Sequence, residues 1–307
     1  MTVTFASKIL VLLAIIFLQG ATCQETHRFN LGNISASQPS RYHALGLFNN
    51  DHPIRKRIAV RKCPSYNFLY PLKIFSTEQP YFCPAAFVST DSLLTSALCL
   101  KMLQQGNEHP SSHMFVIVDR EDVFLYENGR RYVNKVFFHP KFEEEPAYYN
   151  IAIVKLRSSI RFDRDGTGRS HLACLWPEYR LKNANAVLGE WFEHQPEQNP
   201  AFRWLDLPFI SQEECRTELA KAERPLLELN QGIRDFQVCV KDNRNNTMIQ
   251  FCEPRSSGPL FMTLGNTVYL VGLPTVHIDD CGVEIEIFNR VYHFLDWIES
   301  VVWPGQE

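Results

Sequence analysis

The 307-residue chain lacks an excess of either charge: 31 Lys and Arg stand against 34 Asp and Glu, a net charge of -3. No global field therefore draws it to nucleic acid or to an anionic membrane. It has no Cys-x-x-Cys pair, and its cysteine spacings are not those of a zinc site, so neither metal nor cofactor is expected. After the first 23 residues no stretch is long and apolar enough to span a bilayer. No internal repeat is evident, which leaves one large domain or two modest ones for a chain of this length.

The chain is 45% hydrophobic and 21% charged, ordinary values for a soluble globular protein. Residues 1–23 form a separate object. Lys8 precedes the apolar run Ile9 to Leu18, and the small residues Gly20 and Ala21 lead to Cys23. This short run fits a secretory signal with cleavage expected after Cys23. Eight of the nine cysteines then remain, an even number that argues for four disulfides in an oxidising compartment. The sequons at Asn33 and Asn245 are candidate glycan acceptors there.

Residues 24–57 are polar, without a sustained period, and read as an extension lacking its own core. The extension ends on Arg55, Lys56 and Arg57, a candidate cleavage site at Arg57-Ile58. From residue 58 onward, short runs rich in Val, Ile, Phe and Tyr alternate with turn signals. Examples are Leu69 to Phe75, Met114 to Val118, Val133 to Phe138, Ile151 to Leu156, Ala186 to Leu188 and Thr267 to Leu273. That pattern predicts an all-β sandwich or barrel fold. Asp165 to Gly168 marks a joint near the middle. Val291, Phe294, Leu295, Ile298, Val301 and Val302 recur at helical spacing until Pro304, which predicts a closing amphipathic helix over about 291–303.

Seven blocks, in order, resemble the trypsin/chymotrypsin family over about residues 58–303. Tyr81 to Val88 resembles its aromatic-x-Cys-Gly-Gly strand, and Leu94-Thr95-Ser96-Ala97-Leu98-Cys99 resembles L-T-A-A-H-C. His139-Pro140-Lys141-Phe142 is similar to H-P-x-Y, and Tyr149 to Leu156 to N-D-I-A-L-L-K-L. Leu205 to Leu219 resembles the segment around P-I-V-S-x-x-x-C. Ser256-Ser257-Gly258-Pro259-Leu260 resembles S-G-G-P-L, and Tyr269 to Gly272 with Arg290 to Tyr292 resemble the closing strands. The resemblance implies an all-β fold of two packed six-stranded antiparallel β-barrels, at about 58–165 and 175–290, with a C-terminal helix. It also implies disulfides Cys83–Cys99, Cys215–Cys239 and Cys252–Cys281, which leaves Cys63 to pair with Cys174.

The family's chemistry needs a serine activated by a histidine whose tautomer a carboxylate fixes. The resemblance places Leu98 at the histidine position and Asn150 at the carboxylate position, while Ser256 keeps the serine. Leucine cannot accept a proton, and an amide cannot stabilise an imidazolium. The oxyanion hole would use the N–H two residues before the serine, and Pro254 has none. Loss of one such donor costs about 2.7–4 kcal/mol of transition-state stabilisation. Arg255 stands where the family's new N-terminal ammonium finds an Asp, and Gln250 stands where trypsins carry the Asp that binds Arg or Lys. His277-Ile278 falls near the substrate-aligning strand, and His139 is the tempting substitute base, in a context more often structural.

The expected function is therefore a secreted, non-catalytic protease homologue that acts by protein binding. Regulators of invertebrate extracellular protease cascades, including melanisation and complement-like immunity, share this pattern. Residues 24–62 carry no cysteine, so no clip module is expected. Proteases, their substrates or microbial surfaces are the expected partners, with no nucleic acid. The alternatives are a divergent active endopeptidase, and a reproductive-fluid or structural protein on the same scaffold.

Overall fold

The computed structural model describes residues 72–78, 82–104, 113–117, 130–144, 148–160, 172–181, 186–192, 201–221, 229–241, 256–264, 267–276 and 285–304. The chain divides into two compact units, Met1–Leu47 and Phe48–Glu307, and all described residues lie in the second. The expected boundaries at residues 23 and 57, both sequons and Arg57 lie outside the described residues.

The first half is a closed barrel. Its strands are β1 (Leu72–Ser76), β2 (Phe82–Phe87), β3 (Ser92–Thr95), β4 (Met114–Ile117), β5 (Arg130–Phe138) and β6 (Ala152–Leu156), hydrogen-bonded in the order β1-β2-β3-β6-β5-β4. Period-2 alternation fixes which side chains face in. Ile74, Phe87, Leu93, Met114, Val116, Val133 and Val154 fill the barrel. A bulge between Val133 and Lys135 sets Asn134 out of register and keeps Val136 and Phe138 against that core.

The outward side chains of this barrel form a ladder of rings. Tyr132 meets Phe115 at 6.2 Å, Phe115 stacks on Phe75 at 5.6 Å, and Phe75 meets Phe82 at 5.9 Å. These four rings come from β5, β4, β1 and β2, which neighbour one another around the barrel. Cations lie over three of them: Arg157 over Tyr132, Arg130 over Phe115 and Lys73 over Phe82. Each cation shields a ring face from water while its charge meets the ring's negative quadrupole.

The second half is an eight-stranded sheet: β7 (Cys174–Leu175), β8 (Ala186–Phe192), β9 (Ala201–Leu207), β10 (Phe209–Ile210), β11 (Gln237–Lys241), β12 (Ser256–Leu264), β13 (Thr267–Val276) and β14 (Ile285–Arg290). Its order runs β10-β11-β14-β13-β12-β8-β9, with β7 added in parallel to β13. The two ends of that order, β9 and β10, are consecutive in the chain and separated only by Pro208. They form one bent strand whose first half pairs with β8 and whose second half pairs with β11. Counted so, six strands make a ring that the chain itself closes. Pro208 has no N–H to offer a ladder, and its carbonyl accepts from the Lys241 N–H at 3.1 Å. Leu188, Leu205, Leu207, Val240, Leu260, Met262 and Phe288 fill the interior.

Among the described residues three helices complete the unit: α1 (Ala97–Gln104), α2 (Gln212–Leu219) and α3 (Leu295–Val302), the last preceded by a 3-10 turn at Val291–Phe294. The predicted closing helix is thus a 3-10 turn running into an α-helix. Val291, Phe294, Leu295, Ile298 and Val302 share one core with Leu94, Ile151 and Ile153 of the first barrel and Phe261, Leu270 and Leu273 of the second. Disulfides Cys83–Cys99 and Cys215–Cys239 tie α1 to β2 and α2 to β11. Among the described residues no helix is long and apolar enough to cross a membrane.

Candidate functional site

The site is built where the first barrel meets the second, just before β6. Tyr149 adopts the left-handed conformation at φ 53, which costs an L-residue about 1 kcal/mol. Its ring stacks on Phe236 at 4.5 Å and on His139 at 5.3 Å, packing that holds the turn. The Ile151 N–H closes the turn by donating to the Tyr149 carbonyl at 2.7 Å. The turn drives the next side chain, Asn150, fully out of solvent.

Asn150 then uses both ends of its amide. Its Oδ1 accepts from the Leu98 N–H at 2.7 Å and from Ser96 Oγ at 2.9 Å. Its Nδ2 donates to the carbonyl of Thr275 on β13. Its own backbone carbonyl accepts from Asn289 Nδ2 on β14 at 2.8 Å. One buried residue therefore links the start of α1 and the entry to β6 with two strands of the other barrel. A carboxylate has only acceptors and could not donate to Thr275. The position that the family resemblance assigns to the carboxylate is occupied here by an inter-barrel hydrogen-bond clamp.

Leu98 is the second residue of α1 and half-buried. Its N–H serves the clamp, and its side chain offers no proton acceptor. Leu98 and Asn150 are thus in direct contact. Ser256 opens β12, where its backbone pairs with Trp191 and that of Ser257 with Glu190 on β8. Gln250, Cys252, Pro254, Arg255, His277, Ile278, Cys281 and Cys63 lie outside the described residues. Cys174 is disulfide-bonded, with a partner outside the described residues.

His139 lies against the aromatic packing of the same turn. Its ring is enclosed by Tyr149, by Phe294 at 5.3 Å and by Trp297 at 5.0 Å. Its Nδ1 accepts from the Lys141 N–H at 3.2 Å. Burial, with the Lys141 charge nearby, pulls its pKa down to about 4. It is a neutral packing residue at neutral pH. Among the described residues no group of His, Cys, Asp and Glu is placed to hold a metal ion.

Thr275 and Asn289 were not visible as site residues in the sequence. They lie 125 and 139 residues from Asn150, and no local pattern marks a strand residue that will meet an amide across a barrel interface.

A family model described as Trypsin matches residues 58–298. The chain is similar to the clotting factor G beta subunit of Tachypleus tridentatus, 23% identical over 233 residues, covering 73% of this chain and 72% of that protein. It is similar to the serine protease Hayan of Drosophila melanogaster, 26% identical over 73% of this chain and 36% of that protein. The serine protease snk of Drosophila melanogaster is 26% identical over 55% of this chain and 38% of that protein. The chain thus spans little more than a third of the two Drosophila relatives.

Proposed function

The chain belongs to the trypsin family, and on that premise we propose that it is a secreted, non-catalytic member that acts by binding other extracellular proteins as a regulator or cofactor of a protease cascade. The observation that carries the reading is the Asn150 clamp beside Leu98. The position expected to orient a base is spent on the Leu98 and Thr275 backbone, and the position expected to be the base is a leucine. Pro254 and Arg255 add two further losses at the level of sequence. The relatives' names, a clotting factor subunit and serine proteases, support a place in such a cascade. A scaffold with a dead cleft still presents the loops that bind macromolecules. Leu98, Asn150 and Ser256 are then remnants, and the partner is a protease or its substrate.

The test is direct. The purified protein is expected to hydrolyse no peptide or ester and to resist serine-directed organophosphonates. Stoichiometric label on Ser256 would sink the reading. The double substitution Leu98→His/Asn150→Asp is also expected to stay inactive, because Pro254 and Arg255 still withhold an oxyanion donor and an activation partner. Turnover at the level of active family members by that variant would show that only the proton relay had been lost.

A retained Ser256 favours a second reading, a divergent endopeptidase with a base drawn from elsewhere. His139, enclosed by three rings and already serving Lys141, does not supply that base. The labelling experiment separates the two readings.

A further inference from the structure

The outward face of β5 carries charge that no described carboxylate answers with an ion pair. Arg130, Lys135 and Arg157 lie along it. Arg130 lies over Phe115, Lys135 over Phe137 and Arg157 over Tyr132. Each charged head is thus held over a ring, at a fixed place on the face. Arg130 to Lys135 covers about 16 Å of strand at ~3.3 Å per residue. Between them Tyr132 is 40% exposed, one of the few large apolar side chains so open among the described residues. The chain as a whole is slightly acidic, so this face departs from the net sign of the chain. We propose that this face of the first barrel is a docking track for a linear sulfated polysaccharide, independent of the state of the cleft.

Two features favour that occupant. The barrel is closed, and β5 is paired on both sides, with β4 and with β6. No free edge is left for an acidic peptide to join as an added strand. A linear polyanion needs only evenly placed cations and a ring on which a sugar face can rest. The chain's own residues 24–57 do not suit the face, since they hold Glu25 and Asp51 against Arg28, Arg41, Arg55, Lys56 and Arg57. The connection 118–129, outside the described residues, carries Asp119, Glu121, Asp122 and Glu127, and the test must include it as a competitor.

The experiment measures binding of the full secreted protein to immobilised heparin at about 0.15 M salt, where the screening length is ~8 Å. Wild type is expected to bind and to weaken steeply as salt rises. Arg130→Gln/Lys135→Gln/Arg157→Gln is expected to bind at least about tenfold more weakly, from three surface charges each contributing a few-fold. Arg216→Gln/Lys221→Gln/Arg234→Gln removes the same charge from the second barrel and is expected to bind like wild type. Tyr132→Ser, which leaves the charges, is expected to bind more weakly than wild type at high salt. Melting of each variant confirms that it is folded. Equal loss in both triple variants would reduce the effect to net charge and overturn the proposal. So would absence of wild-type binding, including binding that appears only when the four carboxylates of 118–129 are neutralised. Competition by polyglutamate or single-stranded DNA as strong, per charge, as that by heparin would overturn the polysaccharide assignment.

Discussion

At the scale of single residues, Asn150 shows how one changed atom alters what a position can do. An amide nitrogen in place of a carboxylate oxygen turns an acceptor into a donor, and the Thr275 carbonyl takes that hydrogen. Asn150→Asp alone is expected to destabilise the protein by about 1–3 kcal/mol, because two oxygens then face each other in a buried site. Denaturant melts of wild type and variant check this; an unchanged midpoint would remove the clamp from the account. His139 makes a prediction about pH. Its folded pKa of about 4 lies below its ordinary value of 6.5, so the unfolded chain binds a proton that the folded one refuses. Its contribution to stability is full above the unfolded value and falls as pH drops from 6.5 toward 4. The ring is only half-buried, so the effect is a fraction of the ideal linkage. His139→Phe keeps the aromatic packing and is expected to flatten stability between pH 7 and pH 5, measured as denaturant midpoints at several pH values. Leu98, Asn150 and Ser256 were singled out in the sequence because the family's motifs number their positions. The partners of Asn150 were not, because hydrogen bonds across a barrel interface leave no trace in local spacing.

Among elements, the strands were the most legible part. Runs at Met114, Val133 and Ile151 fall on β4, β5 and β6. The helices were read less well. The closing helix was visible because its apolar residues recur along 291–302, but its first turn is 3-10. Helix α2 went unnoticed, although Ser211-Gln212-Glu213-Glu214 has the spacing of a capping box. Ser211 Oγ accepts from the Glu214 N–H at 3.0 Å. Ser211→Ala is expected to cost about 1 kcal/mol, read by thermal melting. Glu218, buried on the same helix, pairs with Lys221 at 2.7 Å and with Lys241 of β11 at 2.8 Å, which draws α2 onto the sheet beside its disulfide. Gly272 on β13 illustrates close approach: a Cβ there would lie 2.8 Å from Phe288 Cβ and 3.4 Å from Leu260 Cβ. Gly272→Ala is expected to lose about 1–3 kcal/mol by overpacking, whereas a neutral result would mean that β14 can shift.

For the whole molecule, the barrels and the helix behind them share one core, so a cavity there should be felt throughout. Ile298→Ala is expected to cost about 2–5 kcal/mol in a single transition seen alike by near- and far-UV signals; two separate transitions would show that the barrels melt independently. The strand order of the second barrel has a further consequence during synthesis. All six strands of the first barrel lie within residues 72–156, so that barrel can close while the rest of the chain is still being made. The second barrel cannot. Its keystone, β14 at Ile285–Arg290, is almost the last element to emerge, yet it fits between β11 and β13. Until it arrives, both neighbours offer unpaired edges, the kind of template on which other chains nucleate. A chain stopped short of residue 285 would carry an open seam out of the ribosome, and its fate would be decided by chaperones rather than by its own sequence.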